Sequence, residues 1–112
     1  MNITNMKAIN YSFLRDMYED DFFPNFLVDK GKKILIDFCL EIEHTKPKDL
    51  KSLYLLSHKA TNKFNELNLE FEENDSEIET VARDCISVDF ESLAKIYGFD
   101  ADIEELTATR EW

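Results

Sequence analysis

The sequence predicts an all-α domain, and three observations carry that reading. Only two Gly and two Pro occur among 112 residues, which leaves few sharp turns. Apolar residues recur at steps of three and four along the chain, the spacing of one helix face. No stretch shows the period-two alternation of a half-buried strand. Four main helices plus a short C-terminal helix are expected around one core, as a single helical domain over residues 1–112. That length supports a real core. The 44% apolar content, with nine Phe, is too rich for a disordered chain.

The first helix is expected from about Asn10 to Asp20, with Tyr11, Leu14, Met17 and Tyr18 on one side. Phe22-Phe23-Pro24 ends it, because the residue before a proline avoids the helical region. The second starts near Pro24, which suits a first helical position, and runs to about Thr45, stopped by Pro47. Leu27, Ile34, Leu35, Phe38 and Ile42 form its stripe, with Gly31 at the centre. A helix-interior glycine costs about 1 kcal/mol against alanine. Its presence predicts close approach of another helix or an aromatic ring; room for a ligand is the functional alternative. The third helix has Asp49 as its N-cap and a stripe of Leu50, Leu53, Ser57, Ala60, Phe64, Leu67 and Phe71.

Asn74-Asp75-Ser76 reads as a turn. Ser76 and Glu79 have the spacing of a capping box for the fourth helix. That helix runs to Tyr97, with Gly98 in the left-handed position that closes helices. Ile78, Ala82, Cys85, Ile86, Leu93 and Ile96 face one way. Asp100 is expected to cap the short fifth helix, about Ala101 to Thr107. The stripes predict a core containing Leu27, Ile34, Phe38, Leu53, Ala60, Phe64, Ala82, Ile86 and Leu93.

Charge is distributed unevenly. From Phe64 to Trp112, fifteen Asp and Glu face only Arg83, Lys95 and Arg110, a net of −12. Residues 30–63 carry +4 and residues 1–29 carry −3, for a total of −11. An acidic chain of this kind repels nucleic acid and anionic membrane and attracts basic partners. The run Glu66, Glu70, Glu72, Glu73, Asp75, Glu77 and Glu79 surrounds one turn and is the candidate partner surface. Such a run is also what an ordinary solvated face looks like, with solubility as its use.

Other chemistry is sparse. Glu41 and His44 have the E-x-x-H spacing of di-iron bundles, but the second pair and the extra glutamates are missing, so no metal and no cofactor is expected. Cys39 and Cys85 fall in helical segments without a C-x-x-C, which suggests reduced, buried thiols in a cytoplasmic protein. A Cys85–His58 or Cys39–His44 pair assembled in space stays open. Glycine-rich phosphate loops and basic–aromatic interleaving are absent. No segment reaches the ~20 apolar residues of a membrane helix. Asp89 is the odd residue: on a continuous fourth helix it points along the apolar stripe, where a lone carboxylate is too costly to leave unpaired. Either it has a hydrogen-bonding partner, or the helix breaks and Asp89 caps Phe90 onward.

The stretch Phe13-Leu-Arg-Asp-Met-Tyr-Glu-Asp-Asp-Phe-Phe-Pro-Asn-Phe-Leu-Val-Asp-Lys-Gly-Lys, with Ser76-Glu-Ile-Glu-Thr-Val-Ala-Arg and Tyr97-Gly-Phe-Asp-Ala-Asp-Ile-Glu-Glu-Leu, resembles the uncharacterised bacterial family called domain of unknown function 5713. The resemblance implies a small stand-alone bacterial protein and brings no activity, cofactor or functional residue. Three function classes follow from the residues. The first is an acidic protein that masks a basic protein partner, as toxin-neutralising immunity proteins do. The second is an enzyme with a pocket built from distant residues such as Asp89 and His58. The third is a structural or regulatory helical homodimer.

Overall fold

The structure, a computed structural model, describes residues 2–112 and is helical throughout, with no strand among the described residues. Six helices follow one another: α1 (Met6–Ile9), α2 (Arg15–Tyr18), α3 (Asn25–Thr45), α4 (Leu50–Glu73), α5 (Thr80–Ile96) and α6 (Ile103–Leu106). The three long helices correspond to the second, third and fourth expected from the stripes. α3 and α4 form an antiparallel hairpin, clipped by Lys30–Glu70 near one end and by Lys59–Glu41 (2.8 Å) near the other. α5 lies across this hairpin. Its Phe90 ring meets Phe38 of α3 at 5.2 Å and Phe64 of α4 at 6.0 Å, both edge-to-face. α4 is about 36 Å long at 1.5 Å per residue, nearly the 40 Å long axis of the molecule. Its two ends are therefore the two ends of the protein.

Local chemistry explains the boundaries. Asp49 caps α4 as expected, accepting the Ser52 N–H at 2.8 Å. Pro24 stands one residue before α3, and Lys46, with φ 50°, closes that helix ahead of Pro47. Gly98, with φ 88°, ends α5. The Phe99 N–H bonds to the Ala94 carbonyl and the Gly98 N–H to that of Lys95, the paired closure of a Schellman motif.

Four expectations need correction. The helix expected from Asn10 to Asp20 is reduced to the single turn α2, which follows Leu14 in the left-handed region at φ 50° and ψ 38°; the other short turn, α1, ends before Asn10. The Leu14 N–H, which would continue a helix, donates instead to Asp89 of α5 at 2.7 Å. The capping box of Ser76 and Glu79 does not form. α4 ends in its own Schellman motif, with Asp75 (φ 59°) in the left-handed position and the Ser76 N–H on the Phe71 carbonyl at 2.9 Å. Ser76 is consumed in closing α4, so Glu79 becomes the N-cap of α5. Asn68 braces the turn by accepting the Ile78 N–H at 2.8 Å. The last helix is shorter than expected and is capped by Asp102, which accepts from Glu104 and Glu105, not by Asp100. Ile34 is half-buried at the edge of its stripe; the other eight expected core residues are buried.

Gly31 is buried where three elements converge. A β-carbon there would stand 2.9 Å from Leu14 Cδ1, 3.2 Å from Phe64 Cε1 and 3.6 Å from Leu67 Cδ2. An aromatic ring and a neighbouring helix both press on it, so the glycine serves close approach rather than a ligand. Gly31→Leu should destabilise by about 1–3 kcal/mol through overpacking, despite the gain in helix propensity. Thermal unfolding tests this, and a raised melting temperature would refute the tight contact.

Candidate functional site

The acidic residues singled out by charge collect at one end of the hairpin. Glu66, Glu72, Glu73, Asp75 and Glu77 are exposed, and Glu79 is half-buried. Glu70 is also half-buried and is paired with Lys30, so it is not a free carboxylate of this surface. Hydrogen bonds of the turn hold the group in place. Besides the Schellman closure, Asn74 donates to the Glu70 carbonyl at 2.8 Å, and Asn68 donates to Glu72 at 3.3 Å. Sequence reasoning missed what lies beside it. α3 begins at this end, and Phe23 meets Phe71 at 6.2 Å. Phe22, 5.1 Å from Phe23, and Phe26, one turn before Lys30, are large exposed aromatics at 44% and 56%. Their position next to a proline-started helix was visible, but only the antiparallel pairing of α3 with α4 places them near the acids.

Asp89 does not break α5, which runs on through it, so the cap alternative falls and the pairing alternative holds. The side chain is 5% exposed. One oxygen accepts the Tyr11 hydroxyl at 2.6 Å and the other the Leu14 N–H at 2.7 Å. Burial pushes its carboxyl above the ordinary range, against the lowering effect of those two donors. The Tyr11 phenol is raised in turn, by burial and by its bond to Asp89. Cys85, one turn away, is pushed up to about 11 by burial and by the Asp89 charge, so at neutral pH it is a thiol and a poor nucleophile. These groups line one side of a groove of about 490 Å³, with Arg15, Asp84 and Val88.

His58 is not among the residues lining that groove; its Nε2 sits 2.7 Å from the Glu105 carbonyl, which ties down α6. The two residues named for a distant-residue pocket are thus engaged separately. Cys39 and Cys85 are both buried free thiols, and burial pushes Cys39 up to about 12. His44 is exposed, and its neighbour Glu41 is spent on Lys59. No group of three His, Cys, Asp or Glu among the described residues is placed to hold a metal ion. None of the helices described is long and apolar enough to cross a membrane.

A second carboxylate, Glu43, acts as a clasp. It accepts from the Thr4 N–H (2.9 Å) and hydroxyl (2.8 Å), the Asn5 N–H (3.1 Å) and the Tyr97 hydroxyl. It thereby joins the N-terminal segment to the end of α5. Burial acts to raise its carboxyl, but these hydrogen bonds prevail and lower it to about 2.

Two outcomes are expected. Asp89→Ala strands the Leu14 N–H and the Tyr11 hydroxyl, and should lower stability in urea by about 1–3 kcal/mol. Hydrogen exchange at the Leu14 amide should speed up with it; unchanged exchange would mean that the left-handed turn does not need Asp89. Glu43 is depressed in the fold, so its stabilisation is complete above the ordinary Glu value and is lost as pH falls toward about 2. Glu43→Gln should therefore lower the melting temperature at pH 6, and the gap to the parent should close in acid. A gap constant from pH 6 to pH 2 would contradict the clasp.

No curated protein and no solved structure matches the chain. A model of a family of unknown function, DUF5713, matches residues 7–112, and the chain belongs to that family.

Proposed function

We propose that the protein binds a basic protein partner through its acidic end and thereby masks it, in the manner of a toxin-neutralising immunity protein. The observation that carries the reading is the pairing of two unlike features at that end. Exposed Glu72, Glu73, Asp75 and Glu77 surround a turn braced by its own hydrogen bonds, and the exposed rings of Phe22 and Phe26 belong to the same end of the hairpin, where Phe23 meets Phe71. Among the described residues, only Lys30 is paired into the acidic run. Protein interfaces of this kind combine aromatic anchors at the centre with charges at the rim. The rim charges set association rate and partner choice more than final affinity. Glu66 and Glu79 extend the acidic rim, and Glu70 contributes through its link to Lys30. The expected setting is cytoplasmic, in keeping with two free, buried thiols.

Reversing Glu72, Glu73 and Glu77 to lysine should slow association with a basic partner at least tenfold at low salt, and change little at high salt. The helical fold should persist, because exposed charges contribute little to stability. Phe26→Ala should act differently, accelerating dissociation with little effect on the association rate. Surface plasmon resonance with the partner captured from the native host, run across a salt series, separates the two effects. A salt-independent association rate would sink the proposal.

A further inference from the structure

Cations in this chain follow a simple rule with two exceptions. All ten Lys and Arg15 are exposed, whereas Arg83 and Arg110 are half-buried. These two line the same small groove of about 300 Å³, together with Ser87. Arg83 and Ser87 stand one turn apart on α5, so both project to one side of the helix. Arg110 arrives from the segment after α6, and its position is set by Asn65 of α4. The Asn65 amide brackets it, donating to the Thr109 carbonyl at 3.1 Å and accepting the Glu111 N–H at 2.9 Å. Val88 and Ile103 form apolar walls.

The pairing of these cations is incomplete. Arg83 makes no ion pair and no side-chain hydrogen bond among the described residues, in a chain with 24 carboxylates. Arg110 has only a long contact to Glu104, at 3.7 Å, whose side chain is 80% exposed, and one to the Thr107 hydroxyl at 3.4 Å. The Ser87 hydroxyl makes no hydrogen bond within the described chain. A guanidinium withdrawn from water without a counterion is unfavourable. The unpaired Arg83 and the loosely paired Arg110, beside an uncommitted hydroxyl, offer the forked donors that oxyanions accept bidentately.

We infer that this groove binds a phosphate group, as free phosphate or as a small phosphate monoester. Two guanidiniums and a hydroxyl offer more donors than the two oxygens of a carboxylate can accept, and the oxygens of a phosphate group can accept them. Asp84 and Glu104 also line the groove and are exposed; their charges repel any anion, a dianion most, so binding rests on the forked hydrogen bonds of the two guanidiniums rather than on net charge. The remaining negative charge of the molecule acts mainly at longer range, and at physiological salt fields fade over a Debye length of ~8 Å.

The test is a titration of the whole protein at pH 8 and constant ionic strength, following the Arg83 and Arg110 side-chain Nε–H signals by NMR. The probes are inorganic phosphate, methyl phosphate and acetate. Saturable shifts of both signals with phosphate, and much weaker ones with acetate, are expected. Tighter binding of methyl phosphate would identify an ester as the ligand, and tighter binding of inorganic phosphate the free anion. Arg83→Gln should weaken binding about tenfold or more, and Arg83→Lys should weaken it less, since it keeps the charge but loses the fork. Lys95→Gln, an exposed change on the same helix, should leave binding unaltered. Far-ultraviolet circular dichroism checks that each variant is folded. Absence of saturable shifts, equal binding of acetate, or undiminished binding by folded Arg83→Gln would each overturn the inference.

Discussion

The bond from the Leu14 N–H to Asp89 governs the path of the chain from Tyr11 to Met17, and much else follows from it. A leucine in the left-handed region costs roughly 1–2 kcal/mol, and a buried carboxylate is costly without donors. Each group relieves the other's difficulty. Leu14 turns so that its amide faces α5, and Asp89 receives that amide and the Tyr11 hydroxyl on its two oxygens. The same turn aims the Leu14 side chain at Gly31, where a β-carbon would stand only 2.9 Å from it. Gly31 in turn admits the Phe64 ring, and Phe64 meets Phe90 of α5. One polar contact and one missing side chain thus join the N-terminal turns, the α3–α4 hairpin and α5.

A second organising feature lies along α4. Tyr54, His58, Thr61 and Asn65 recur at steps of four, three and four and share one helix face. Each bonds to the backbone of the C-terminal segment: Tyr54 to the Asp102 N–H, His58 to the Glu105 carbonyl, Thr61 to the Leu106 carbonyl, and Asn65 on both sides of Arg110. α4 therefore carries two stripes, an apolar one toward the core and a polar one that straps down residues 102–111. Backbone polar groups of an irregular segment need partners wherever water is excluded, and this second stripe supplies them.

Periodicity made the long helices legible because each buries one apolar face, and burial of that face is a property of the sequence itself. Asp49 and Gly98 were legible for a similar reason, since their bonds are local. Asn10 to Asp20 was misread because Tyr11, Leu14, Met17 and Tyr18 do have helical spacing. What overrides the spacing is a carboxylate more than seventy residues away. Ser76 was misread because two helix-end motifs compete for it, and the closure of α4 wins. The polar stripe of α4 escaped notice because neither Tyr, His, Thr nor Asn contributes to a hydrophobic pattern. In the candidate site, the acidic residues were visible as composition. Their aromatic neighbours were not, since Phe22 and Phe26 reach the acidic turn only through the antiparallel pairing of α3 with α4.

The same long-range logic bears on where function sits. The carboxylates that look most like chemistry, buried Asp89 and half-buried Glu43, have their oxygens engaged by donors from distant segments, and act as fasteners. Groups that remain uncommitted are a better guide: the carboxylates of the α4–α5 turn, the two exposed Phe beside them, and the Arg83 guanidinium. Among the described buried side chains only the Ser76 hydroxyl and the Trp112 indole N–H lack a partner, so the uncommitted groups lie chiefly at the surface, where something outside the chain can complete them. The acidic turn and Arg83 are neighbours along the chain, since α5 begins at that turn and carries Arg83 in its first turn.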